Sequence, residues 1–238
     1  MSITIPTIAL VNHSFIPSQL IAAIVPALQT QVDRDWVPHW GGGARIITDG
    51  DLVPANAWVI ALVNTSDEAG ALGYHETTAA GQPCGIVAVG DCIRDGLNWT
   101  VTVSHELLEM LADPEITKVQ QAIEGGITYD YAYEVCDAVE DDRFAYPILG
   151  HFMSDFVLPA WFNPTQVINN DLAFALDSGL FSFRNNVRGP FRLAAGGYIG
   201  RREISPTPGD WSQVLASMDG PRTKKAPMSR TMRRFARP

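Results

Sequence analysis

Three short apolar runs constrain this chain more than anything else in it. Residues 44–48 (Ala-Arg-Ile-Ile-Thr), 57–64 (Ala-Trp-Val-Ile-Ala-Leu-Val-Asn) and 84–89 (Cys-Gly-Ile-Val-Ala-Val) are rich in β-branched residues and bounded by turn-forming ones. The first two carry too little polar alternation for a half-wet sheet and read as buried strands, and the third reads as another short strand. Residues 3–12 read as a further strand. Buried strands need helices to cover them, and two segments qualify. Residues 17–35 place Leu20, Ile21, Ile24, Leu28 and Val32 at helical spacing, with Pro17 and Ser18 at the start and Pro26 as a kink point. Residues 97–112 form the second helix, which Asp113-Pro114 ends because the residue before proline avoids helical angles.

Beyond residue 115 the pattern loosens. Residues 65–80 are polar and turn-rich, 129–141 fit strand or helix, and 144–158 predict a hairpin turning at Leu149-Gly150. Residues 159–220 offer several short candidate strands. The expected architecture is α+β in one domain over residues 1–220, with an N-lobe of about 1–115 and a C-lobe of about 116–220. The N-lobe is a mixed sheet with a backing helix and a second, site-bearing helix. The C-lobe is short strands and loops.

Composition excludes several classes. The chain has 238 residues, 46% hydrophobic and 18% charged, enough for a real core. It has no apolar run of membrane-spanning length and no classical signal peptide in its first residues, so a cytoplasmic location without membrane association is expected. Three cysteines, Cys84, Cys92 and Cys136, have no C-x-x-C spacing and suit a reducing compartment. The net charge of −9 is uneven: residues 1–220 hold all 26 acids, while residues 221–238 hold seven bases, among them Lys224, Lys225, Arg233 and Arg234, and no acid. The acidic body repels nucleic acid, and the basic tail is the one segment suited to an acidic partner or nucleic acid. No Walker loop, dinucleotide fingerprint or nucleophile elbow occurs.

The chemistry concentrates in Thr102–Pro114. On a helix His105 and Glu109 stand at i and i+4, one turn apart on one face, the spacing two ligands of one metal need. Glu106 lies about 100° around the axis, placed to reach a metal-bound water without ligating the metal. His-Glu-Leu-Leu-Glu resembles the H-E-x-x-H helix of zincin metallopeptidases, as an H-E-x-x-E variant with Glu109 at the second ligand position. The element order before it fits as well, with Cys84–Val89 in the place of the zincin edge strand that pairs with extended substrate. The longer string S-H-E-L-L-E-M-L-A-D-P, Y-A-Y-E-V-C-D-A-V-E-D and S-D-F-V-L-P-A-W-F resembles zincin-like proteins of bacteria and their phages, over roughly residues 1–200.

That resemblance implies a zinc peptidase acting on peptide or protein, with His105 and Glu109 as ligands and Glu106 as general base. The third ligand it points to is Glu134, with Asp137 as the alternative and Asp113 and Cys136 behind them. A carboxylate at position 109 weakens the metal as a Lewis acid and shifts preference toward Mn2+ or Ca2+. His75 reads as a surface residue or a substrate contact on a loop, His151 as an extra ligand of low rank, and His13 and His39 as structural. Tyr131 and Tyr133 are candidate oxyanion donors. The run Asp137–Asp142 is an alternative calcium site, without the glycine-turn spacing of an EF-hand. The competing functional class is a non-catalytic protein of the same fold, associated with a virion, whose tail docks a partner.

Overall fold

In a computed structural model, residues 5–163, 180–204 and 207–216 are described. The basic tail and part of the stretch read as candidate strands at 159–220 lie outside them. The chain runs β1 (Thr7–His13), α1 (Ser18–Thr30), a π-helical turn (Gln31–Trp36), α2 (Val37–Trp40), β2 (Arg45–Thr48) and β3 (Trp58–Val63). Then come β4 (Gly73–Thr77), β5 (Pro83–Ala88), α3 (Val89–Arg94) and α4 (Trp99–Ala112). After α4 follow β6 (Val119–Glu124), β7 (Ile127–Ala132), β8 (Tyr146–Ile148), β9 (His151–Met153), β10 (Tyr198–Glu203) and β11 (Ser212–Leu215). This mixture of a mixed sheet, an antiparallel sheet and few helices is α+β.

The first sheet has five strands in the order β2-β1-β3-β5-β4. The pairs β1/β2, β1/β3 and β3/β5 are parallel and β4/β5 is antiparallel. Parallel neighbours need long crossovers, which is why the apolar runs at 44–48 and 57–64 are separated from β1 by helix or loop rather than by a tight turn. Two expectations change here. The strand at 84–89 is internal, paired on both sides, and the edge strand is β4, which lies inside the segment read as polar loop. β4 escapes periodicity because adjacent residues Tyr74 and His75 are both buried, on opposite faces, which erases the polar–apolar alternation.

The first helical segment extends beyond residue 35. It passes through the π turn to Trp40 and stops at Gly41, whose φ of 68° is open to glycine at little cost. Pro26 lacks an N–H inside α1, and the ladder widens into the π turn one turn later. The C-terminal part carries a second sheet, β11-β10-β7-β6, all antiparallel. Its β6/β7 hairpin turns at Gly125-Gly126, both at positive φ. The predicted hairpin at Leu149-Gly150 is present between β8 and β9, again with both turn residues at positive φ. One hydrophobic cluster spans both sheets, joining Ile8, Leu107, Val135, Phe156 and Ile199.

α4 lies against β5 and β4 on one side and β9 on another, so it is buried nearly all round, Glu106 and Glu109 included. A buried polar network holds it in register. The Ser104 hydroxyl donates to Gln31 Oε1 (2.7 Å) and accepts the Ser154 N–H (3.0 Å). Gln31, in the π turn, donates to the Tyr146 hydroxyl and the Ser154 carbonyl. Every member is satisfied, the condition under which a buried polar network adds specificity rather than strain. Ser104→Ala would leave Gln31 Oε1 and the Ser154 N–H short of a partner at zero exposure of Gln31. We expect a loss of about 1–3 kcal/mol in urea denaturation; an unchanged midpoint would remove the network from the account of how α4 is placed.

Candidate metal centre

Helical spacing decides where the three motif side chains point. His105 and Glu109 project together toward the loop after β7, and Glu106 projects toward β4. Close packing against β4 depends on glycine. A Cβ at Gly73 would stand 2.5 Å from Glu106 Oε1 and 2.8 Å from Thr102 Cγ2, and one at Gly85 would stand 3.1 Å from Met110 sulfur. Gly73 and His75, two residues apart, share the face of β4 that meets α4. His75 therefore enters the interior, 4% exposed, rather than lying on a surface loop.

Six side chains from three parts of the chain, α4, β4 and the segment after β7, converge. His105 Nε2 lies 3.2 Å from Glu109 Oε1 and 3.3 Å from Asp137 Oδ1. His75 Nδ1 lies 3.6 Å from Glu109 Oε2 and 3.5 Å from Glu106 Oε2, and its Nε2 lies 3.8 Å from Glu134 Oε2. Two sets have ligand atoms all within 4.8 Å of one another: His105, Glu109 and Asp137, and His75, Glu109 and Glu134. The structure thus groups Asp137, the alternative, with the His105–Glu109 pair, and sets Glu134 across Glu109 beside His75. Both come from the segment after β7, held in place when Cys136 N–H donates to Glu109 Oε1 (3.1 Å) and Val157 N–H to the Val135 carbonyl (2.7 Å). The Tyr198 hydroxyl on β10 hydrogen-bonds Asp137.

The remaining candidates go elsewhere. Asp113 accepts the Thr117 and Lys118 N–H groups and shapes the exit from α4. The Cys136 thiol is pushed well up by burial and belongs to neither set. Asp141 pairs with Arg143, and Asp142 accepts the Asn98 N–H at the start of α4, which disperses the acidic run read as an alternative calcium site. Tyr131 bonds Glu124, and Tyr133 stacks on Phe162 at 4.0 Å. His151 sits in the β8/β9 hairpin opposite Ile148. A groove of about 470 Å3 lined by Trp36, Trp40, Leu111, Lys118 and Tyr133 runs past the far end of α4, and neither ligand set lines it.

Burying four carboxylates and two imidazoles together, with Glu140 half-buried beside them, shifts their protons. Burial disfavours the charged form of His75, yet Glu134, Glu106 and Glu109 overcome it and raise this imidazole to about 10. His105 rises well above its ordinary value against the same burial, chiefly through Glu109. Burial and Glu109 push Asp137 up to about 7, and burial and Asp137 push Glu140 up to about 8. Glu106 is raised by burial, while Glu109 is drawn down by His105 in spite of it. The side chains themselves thus act as counter-ions, a role a divalent cation fills better because it also satisfies lone pairs. His75 Nε2, Glu106 Oε2 and Asp137 Oδ2 are buried without a hydrogen bond, so the donor set fits a cation.

No protein-family model, curated protein or solved structure matches this chain.

Two expectations follow from the geometry. Gly73→Ala forces Glu106 out of its place, so it should lower both thermal stability and any activity; a variant with the parent melting temperature would mean that β4 stands off α4. The second concerns pH after chelation. A raised imidazole stabilises the fold fully below about 6.5 and loses that contribution as pH climbs through about 10. Raised carboxyls lose theirs through about 7 for Asp137 and about 8 for Glu140. All three act in one direction, so the chelated protein should melt at a lower temperature at pH 9.5 than at pH 6. A melting temperature that rises over that interval would contradict the charged-histidine arrangement.

Proposed function

We propose that this chain is a zincin-like, metal-dependent hydrolase whose substrates are peptides or proteins. The carrying observation is that His105, Glu109 and Asp137 converge in the interior with Glu106 beside them, at distances closable around one ion. Atoms each about 2.1 Å from one ion stand no more than about 4.2 Å apart, and the His105 contacts are within that limit. One histidine and two carboxylates form a harder donor set than histidine pairs, so Mn2+ competes with Zn2+ here, and Ca2+ is the weaker alternative. When bound, the ion would polarise a scissile carbonyl and acidify a water.

The chain's own residues supply the rest. Glu106 Oε2 makes no hydrogen bond and its carboxyl is raised by burial, both suited to taking a proton from water and returning it to a leaving amine. His75, 3.5 Å away, orients that carboxylate. The Tyr198 hydroxyl holds Asp137 in place. β4, the edge strand beside α4, is where an extended peptide would add as a further strand.

One observation favours a second reading, a non-catalytic, virion-associated protein with a closed structural metal. The site carboxylates are 2–4% exposed, and His105, at 13% side-chain exposure, is the most open member. Among the described residues no helix is long and apolar enough to cross a membrane, which suits either reading.

Metal content and turnover of an unfolded protein substrate such as casein separate the readings. Glu106→Gln should keep the metal and lose hydrolysis by about 10²-fold or more, and His105→Ala should lose the metal. Full turnover in Glu106→Gln would end the proposed mechanism. A metal-loaded wild type that cleaves nothing would select the structural reading.

A further inference from the structure

The proposed hydrolase site uses only half of the buried cluster. On the other side of Glu109 lie His75 and Glu134, buried to 4% and 3% exposure and brought there by β4 and by the loop after β7. His75 Nδ1 stands 3.6 Å from Glu109 Oε2, and His75 Nε2 stands 3.8 Å from Glu134 Oε2. One ion takes one nitrogen of an imidazole, and with one donor atom from each residue His75, Glu109 and Glu134 lie within 4.8 Å of one another. His75 Nε2 makes no hydrogen bond although it is buried with almost no water in reach. The His105 set and the His75 set share one residue, Glu109, and they use its two different oxygens: His105 faces Oε1 and His75 faces Oε2. Neither set contains the other's histidine, so one ion does not gather both rings.

We infer that this cluster is a binuclear centre, in which the Glu109 carboxylate bridges one divalent cation held by His105 and Asp137 and a second held by His75 and Glu134. The inference rests on the metal-binding reading above and extends it.

Charge supports two ions over one. Glu106, Glu109, Glu134 and Asp137 are four buried carboxylates. With both histidines neutral, as ligation requires, a single dication carries half the charge of the four carboxylates. Two dications balance the four. Glu106, 3.5 Å from His75 Nδ1, then lies beside the second position as well as the first. The arrangement also accounts for the replacement of the expected histidine at position 109. An imidazole offers one lone pair to one ion, whereas a carboxylate offers an oxygen to each of two.

The test uses the full chain, stripped with chelator and dialysed against Mn2+ or Zn2+. Bound ions are counted by elemental mass spectrometry, and the Mn2+ form is read by electron paramagnetic resonance. Two ions per chain are expected, with the multiline spectrum of an exchange-coupled pair. His75→Ala and Glu134→Gln should each bind one ion and give the six-line spectrum of isolated Mn2+, and His105→Ala should do the same. One ion per chain in the wild type, kept in His75→Ala and lost in His105→Ala, would overturn the second site and leave the mononuclear reading standing. One ion lost in either histidine variant would overturn the bridge, because a single ion would then be using both rings. No ion in the wild type would overturn both readings. The wild-type count and spectrum need no variant, so misfolding of a substituted chain, checked by circular dichroism, cannot stand in for a result.

Discussion

Charge in the interior governs this molecule. α4 is buried on nearly every side, yet it carries His105, Glu106 and Glu109. Leaving a lone carboxylate in that environment would cost several kcal/mol, so each must meet a counter-charge or a donor. His75, Asp137, Glu134 and the Cys136 N–H are what surrounds them. More acids than bases are gathered there, an imbalance an ordinary core excludes and a bound cation would resolve. The segment after β7 is arranged around that need. It makes little regular structure and presents Glu134, the Cys136 N–H and Asp137 to α4 within four residues.

The scaffold makes the approach of α4 possible. Glycine at positions 73 and 85 lets the helix lie on β4 and β5 without a side chain between them. The Gln31–Ser104–Ser154 network fixes its rotation, because Ser104 must face the π turn when His105 faces Asp137. The π turn follows Pro26, whose missing N–H loosens the helical ladder there. Gln31 in that turn lies at zero exposure with its amide fully used. A backbone irregularity near the N-terminus thus helps to place a histidine some seventy residues later.

Local rules made much of this legible. The apolar runs at 44–48, 57–64 and 84–89 are strands within a residue or so of their predicted limits, since a continuous β-branched run has few other uses. The Leu149-Gly150 turn is equally local, because Gly150 takes positive φ at little cost in a two-residue connection between two short strands. The His105–Glu109 pairing is a property of any helix that contains them, whatever it packs against.

What the sequence determined alone is therefore what depends on neighbours a few residues apart: the strands, the hairpin, and the shared face of His105 and Glu109. Tertiary structure decided the rest. His75 looked like a loop residue because β4 has no alternating pattern, and only its pairing with β5 under α4 turns it inward. Glu134 and Asp137 could not be ranked from spacing, because they sit in an irregular segment whose course is set by the elements it crosses. That the two acids fall on opposite sides of Glu109 depends on backbone contacts to Val157 and Ala194, far along the chain. Non-local pairing leaves no periodic trace in sequence, and in this protein it completes the candidate metal site.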